Sequence, residues 1–173
     1  ERIRIVNLAK DGELHLASDG SAKEGDTSTF AVCISSSNIT TCHVSAHEAH
    51  GNPHDSGRAE LYGVLVLVSY ISELLRGMTG IKIPLYCDNL EAVGFASDPY
   101  LGTTPSWADC RNIDLKLDLQ SRLAATETEF EFIHVKAHQD VTILYEDLSL
   151  PAKLNFHCDQ AAREKLLSLS HPS

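Results

Sequence analysis

The chain has 173 residues, 43% hydrophobic and 22% charged, with a formal net charge of −10 from 14 Lys and Arg against 24 Asp and Glu. That length fits one domain, and the apolar fraction is too high for a disordered tail. The longest apolar run, 61–71, is broken by Gly63 and Ser69 and falls short of the roughly 18–20 residues of a membrane span.

Residues 2–8 alternate loosely and run into a turn at Lys10-Asp11-Gly12-Glu13. A short strand over 14–18 is predicted to end at Asp19-Gly20-Ser21, with a second turn over 22–28. Residues 29–35 and 39–45 read as two further strands of a meander, separated by Ser36-Ser37-Asn38. A loop rich in His, Gly and Pro (46–57) precedes the strongest helix, 58–76, with Ser56 as its expected N-cap and Gly77 as its stop. Its apolar residues cover most faces, which predicts burial against a sheet. A compact strand over 81–87 leads into Asp88-Asn89 and a short helix over 90–96. Residues 108–125 are predicted helical, 129–135 alternate as a strand with one buried face, 139–151 are irregular, and 154–169 form a final amphipathic helix. The order β-β-β-α-β-α-α-β-α predicts an α/β fold, a mixed sheet flanked by helices.

The acidic balance argues against nucleic-acid binding through a broad basic surface. It leaves two options, a function unrelated to nucleic acids or a set of acids that hold cations. The cysteines Cys33, Cys42, Cys87, Cys110 and Cys158 are odd in number and never spaced Cys-x-x-Cys. That argues against a disulfide framework or a cysteine zinc site and points to a reducing, intracellular compartment. His43, His47, His50 and His54 match no common zinc spacing. The opening Glu1-Arg2-Ile3-Arg4 has neither Met nor a signal-peptide core, which reads as an excised domain or a processed product.

Asp19 and Asp88 are predicted at strand ends, the usual location of sites in open α/β sheets. Glu60 falls in the first turn of the long helix and Asp159 in the last helix. Any one of these acids alone is most simply a solvated surface charge. Asp88, however, follows the apolar run Ile83-Pro84-Leu85-Tyr86-Cys87, and Asp159 lies among Phe156, Ala161, Ala162 and Leu166. Carboxylates converging in such surroundings repel one another unless a divalent cation holds them. Cys87 and Cys158 read as packed core thiols.

Five blocks, Asp19-Gly20-Ser21, Arg58-Ala59-Glu60-Leu61, Asp88-Asn89, Val135-Lys136-Ala137-His138 and Asn155-x-x-Cys158-Asp159-x-Ala161-Ala162, resemble type 1 ribonuclease H in order and in element. The run Asn112-Ile113-Asp114-Leu115 with Leu123 is similar to the helix that precedes the fifth strand there. The likeness extends over roughly 14–169 and is closer to domains attached to retroelement reverse transcriptases than to the free-standing enzyme. It divides the chain into an N-terminal extension or linker (1–13) and a ribonuclease H-like domain (14–173), with a five-stranded mixed sheet.

The resemblance implies a metal-dependent endoribonuclease acting on the RNA strand of RNA–DNA hybrids. It implies two Mg²⁺ or Mn²⁺ ions held by Asp19, Glu60, Asp88 and Asp159, with His138 moving a proton or ejecting product. Hard cations take such oxygen ligands, and two ions about 4 Å apart can activate water and stabilise the leaving oxygen. Arg58, at a helix start, is expected to contact substrate phosphate. Gly20 allows close approach of ligand or backbone, while Ser21 and Asn89 are candidate contacts to 2′-hydroxyls. The implied partners are the hybrid and a reverse transcriptase domain of the parent chain, with no membrane and an isolated domain that is monomeric. Two departures stand against the pattern. His54-Asp55-Ser56-Gly57 replaces an Asn-rich segment, and 98–107 carries no Lys or Arg where the family has a basic protrusion. They support a rival reading, a weakly active or non-catalytic nucleic-acid-binding module that serves a partner domain.

Overall fold

A computed structural model describes residues 1–98 and 111–170. Five strands, β1 (Leu14–Lys23), β2 (Thr27–Ser36), β3 (Cys42–Glu48), β4 (Lys82–Cys87) and β5 (Glu129–His134), form one sheet in the order β3-β2-β1-β4-β5. The first three make an antiparallel meander, whereas β4 runs parallel to β1 and β5 parallel to β4. The helices are α1 (Arg2–Lys10), α2 (Ser56–Leu74), α3 (Leu90–Ser97), α4 (Ile113–Ala125) and α5 (Leu150–Ser170). The architecture is thus the α/β mixed sheet expected from the sequence.

Two cores lie on the two faces of the sheet. On one, Leu61, Val64, Leu67, Val68 and Ile71 of α2 share a cluster with Leu16, Ile83 and Leu85 of the strands and with Leu115 and Leu119 of α4. On the other, Leu154, Cys158 and Ala162 of α5 recur every fourth residue and pack with Ala17, Ala31 and Tyr86. Each large apolar side chain buried this way contributes about 1.5–3 kcal/mol, and α2 and α5 support the sheet from its two faces.

The structure departs from the sequence reading at several boundaries. Residues 2–8, expected to alternate ahead of the domain, are helical, and Ile5 and Ala9, four apart, are buried in the larger core. The first strand does not end at Asp19, because its ladder with β2 continues to Lys23↔Thr27 before the turn at Gly25. Asp55, rather than Ser56, caps α2, its Oδ1 accepting the Arg58 N–H at 2.7 Å. Helix α5 starts four residues earlier than expected. The Ser149 hydroxyl accepts the Ala152 N–H at 3.3 Å, and Pro151 fits the first turn, where no N–H is needed. Within 139–151 the irregular stretch contains single 3₁₀ turns at Gln139–Val141 and Tyr145–Asp147. The predicted helix start at 108–110 and most of the Lys- and Arg-free segment 98–107 lie outside the described residues.

Candidate metal centre

Parallel pairing of β1 with β4 stops at Ser18↔Cys87, so Asp19 and Asp88 are the next residue on each of two adjacent strands. This juxtaposition brings two acids, 69 positions apart in the chain, to one end of the sheet. Glu60 arrives from α2, whose first turn lies directly over β1. A Cβ on Gly20 would sit 2.8 Å from both Ala59 Cβ and the Glu60 backbone nitrogen. Gly20 therefore exists for backbone approach, and the backbone it admits is that of the helix carrying Glu60. Asp159 comes from α5 on the opposite face, close enough for its charge to act on Asp19.

Asp19 is 2% exposed and Glu60 5%. Burial pushes the Asp19 carboxyl up to about 8, and the charges of Asp88 and Asp159 add to that, against a hydrogen bond from Glu60 that opposes it. Glu60 is likewise raised, first by burial and then by Cys87 and Asp19. Two adjacent buried carboxyls resist ionising together when no charge compensates them. A divalent cation supplies that compensation, and its preference for several carboxylate oxygens matches this donor set. The residues fit the group.

His138 stands at the mouth of the centre, exposed, with a left-handed φ of 57° and Nδ1 3.9 Å from Asp159 Oδ2. The same oxygen accepts from Arg163 Nη2 at 2.9 Å, one helical turn further along α5. Ser21 and Asn89 flank the acids, both half-buried, and Asn89 Oδ1 caps α3 by accepting the Ala92 N–H at 2.8 Å. Asn89 also borders a groove of about 490 Å³ whose walls include His54, Asp55, Phe95, Asn112 and Lys116.

Arg58 is not presented to this space. It is 4% exposed, with Nη1 and Nη2 donating to the two Asp114 carboxylate oxygens at 2.9 and 2.7 Å and Nε donating to the His50 carbonyl at 2.8 Å. The Asp114 hydrogen bonds raise the guanidinium pKa still further and hold the Asp114 carboxyl below the usual range. The expected phosphate contact thus gives way to a fork that ties α2 to α4.

No protein-family model matches the chain, and no curated protein resembles it in sequence. Solved structures do resemble it in fold. The chain superposes on ribonuclease H1 of the halophilic archaeon Halobacterium salinarum with a TM-score of 0.59 and 14% identity, over 90% of this chain and 98% of that one. The ribonuclease H fold is the fold of this chain. LC11-RNase H1, solved in complex with an RNA/DNA hybrid, gives a TM-score of 0.61 at 12% identity, over 89% of this chain and 99% of that one. The foamy virus (PFV) ribonuclease H domain gives 0.59 at 15%, over 88% and 93%.

Within this ribonuclease H-like chain, two neighbours of the acids escaped the sequence reading. Arg163 follows Asp159 by four residues, a spacing visible in the sequence had the helix phase been used. Cys87 is a core thiol as expected, yet its Sγ also donates to Glu60 Oε2 at 3.5 Å. Burial raises this thiol to about 11. Strand alternation alone gave no sign of that contact, which depends on where α2 lies.

Proposed function

We propose that the chain is a divalent-cation-dependent endoribonuclease that hydrolyses the RNA strand of RNA–DNA hybrids, as a domain of a retroelement reverse transcriptase. The observation that carries this reading is the convergence of two buried acids, Asp19 and Glu60, beside Asp88 and Asp159. A cluster of like charges is costly to bury and has no structural use without a cation. The hybrid held by LC11-RNase H1 and the 88% of this chain matched to the foamy virus protease–reverse transcriptase support the substrate and the context.

In this reading Asp19, Glu60, Asp88 and Asp159 hold two Mg²⁺ or Mn²⁺ ions. When bound, such ions lower the pKa of a coordinated water and stabilise charge on the leaving oxygen. The protein's part is positional. Asp19 is fixed within β1 just past its pairing with β4, Asp88 just past the end of β4, Glu60 by the packing of α2 on Gly20, and Asp159 by α5. Arg163 offsets part of the Asp159 charge and keeps its oxygen oriented. His138, exposed and facing Asp159, exchanges a proton between the site and solvent during product departure. Ser21 and Asn89 read the 2′-hydroxyls of the RNA strand, with Gly20 between them and the helix. The groove beside Asn89 takes the continuing duplex, and the helix α1 belongs with residues 14–173 as one working unit that acts as a monomer.

A hybrid labelled separately on each strand tests this, with Mg²⁺ or Mn²⁺ or chelator, beside single-stranded RNA and double-stranded DNA. Cation-dependent cutting of the RNA strand of the hybrid alone is the expected result. Hybrid binding without cutting at low salt would instead favour the non-catalytic module. That rival draws on Asp55 and Glu91, acids lining the groove, and on the engagement of Arg58.

A further inference from the structure

We infer that Glu60, Cys87 and Asp88 form a zinc-class cation site within this centre, with Cys87 as a sulfur ligand and a fourth position open to solvent. This deepens the reading above and rests on it for the role of Glu60 and Asp88, but not for the chemistry of the thiol. Among the described residues, one ligand atom from each of these three side chains lies within 4.8 Å of the other two. A tetrahedral zinc with Zn–S near 2.3 Å and Zn–O near 2.1 Å places sulfur and oxygen about 3.6 Å apart. The Cys87 Sγ to Glu60 Oε2 distance is 3.5 Å, so that pair already stands at ligand separation.

Burial and the charges of Asp88 and Asp19 hold the proton on Cys87, so the cation itself must displace it. Cys87 is 1% exposed, so its sulfur meets solvent ions only by way of the half-buried Asp88 and the Glu60 carboxyl. Ser18, paired with Cys87 across the parallel ladder and on the same face, is fully buried with a hydroxyl that has no hydrogen-bond partner. On binding, the Cys87 S–H bond gives way to a metal–sulfur bond and the proton leaves to solvent.

Softness then sets selectivity. Oxygen-only centres suit Mg²⁺ and Mn²⁺, whereas a thiolate beside two carboxylates favours Zn²⁺ and Cd²⁺. Zinc held here occupies Glu60 and Asp88 in a tetrahedral geometry that differs from the oxygen-rich shell of the hard ions. Low zinc is therefore a competitor of the hard cation at its own ligands.

Cadmium replaces zinc as the spectroscopic probe, titrated into the unaltered protein and into Cys87→Ser and Cys42→Ser. The expected result is a sulfur-to-cadmium charge-transfer band that is lost in Cys87→Ser and kept in Cys42→Ser. Zinc affinity should fall about tenfold or more with loss of the sulfur ligand. A band that survives Cys87→Ser, or unchanged zinc affinity, overturns the inference. Should Cys87→Ser fail to fold, cadmium NMR of the unaltered protein decides: a sulfur-ligated shift with Cys42→Ser unchanged supports the site, and an all-oxygen shift overturns it. The two readings separate cleanly. Hybrid cleavage with no cadmium–sulfur signal sinks only the zinc site, and the signal without hybrid cleavage sinks only the nuclease.

Discussion

Arg58 and Glu60 stand two residues apart near the start of α2, both nearly inaccessible to water, and their fates are opposite. Residues two apart on a helix point in different directions. Arg58 meets Asp114 in a two-pronged contact that uses both carboxylate oxygens. Glu60 meets Asp19, Asp88 and the thiol of Cys87, none of which can offset its charge. A buried charge with a fixed partner is finished structure, holding two helices in register. A buried charge among its own kind is unfinished, and only a ligand from outside completes it. That difference, more than the presence of acids as such, separates the scaffold of this molecule from its site.

The comparison breaks at once if the unfinished end is dispensable. Asp88→Asn removes a central oxygen ligand and is expected to lower hybrid cleavage roughly a thousandfold or more, above about 4 kcal/mol of transition-state stabilisation, with hybrid affinity little changed. Turnover and hybrid binding measured side by side check this. His138→Ala should slow turnover about 100-fold while leaving the metal affinity intact, because it acts on a proton and not on the ion. Single-turnover against steady-state rates would assign that loss to chemistry or to product departure.

The finished end sharpens the contrast through stability. Gly20→Ala sets a methyl against Ala59 and the Glu60 backbone, at a 2.8 Å approach that only a shift of α2 relieves. Denaturant unfolding should report a loss of about 1–3 kcal/mol, and cleavage should fall further because Glu60 moves with the helix. Asp114→Ala leaves the Arg58 guanidinium without its main partner. The expected cost is about 1–3 kcal/mol, below that of a fully buried pair, because Asp114 is 61% exposed and water screens its side. Unfolding midpoints with hybrid cleavage retained would place this pair in the scaffold.

Much of this was legible in the sequence. Alternation in Glu129-Phe130-Glu131-Phe132 and the apolar runs ending at Cys87 gave the strands, and strand–helix alternation gave the mixed sheet. Asp88 stood out because it directly follows β4, whereas Asp19, Glu60 and Asp159 lie inside β1, α2 and α5 and were legible only through the blocks that resemble the family. Other features were not. In 2–8, Ile3 and Ile5 mimic a strand period while Ile5 and Ala9 satisfy a helix, and so short a run cannot separate the two. Asp55 and Ser56 are both good caps, and only the hydrogen bond to Arg58 distinguishes them. Arg58 looked like a phosphate ligand because its partner Asp114 lies 56 positions away, on a helix whose packing no local pattern reports. Cys87 was read as a packed core thiol, but that Glu60 reaches it follows only from the seat of α2 on Gly20.

The claim that a cation completes the acidic cluster is most directly tested by thermal melting at about pH 5.5 and 8, with chelator and with Mn²⁺, for the unaltered protein and Asp19→Asn. Asp19 holds its proton up to about 8 in the folded protein, against 3.8 for the free side chain. The native state therefore binds the extra proton across that window, and the metal-free protein loses stability as pH rises through it. Mn²⁺ should recover that loss at pH 8 and add little at pH 5.5, where the proton already does the work of the ion. Asp19→Asn should melt about 2–8 °C higher than the metal-free parent at pH 8, for about 1–2 kcal/mol of relieved repulsion, and gain little from Mn²⁺. Melting that is indifferent to Mn²⁺ at both pH values, in parent and variant alike, would contradict the account.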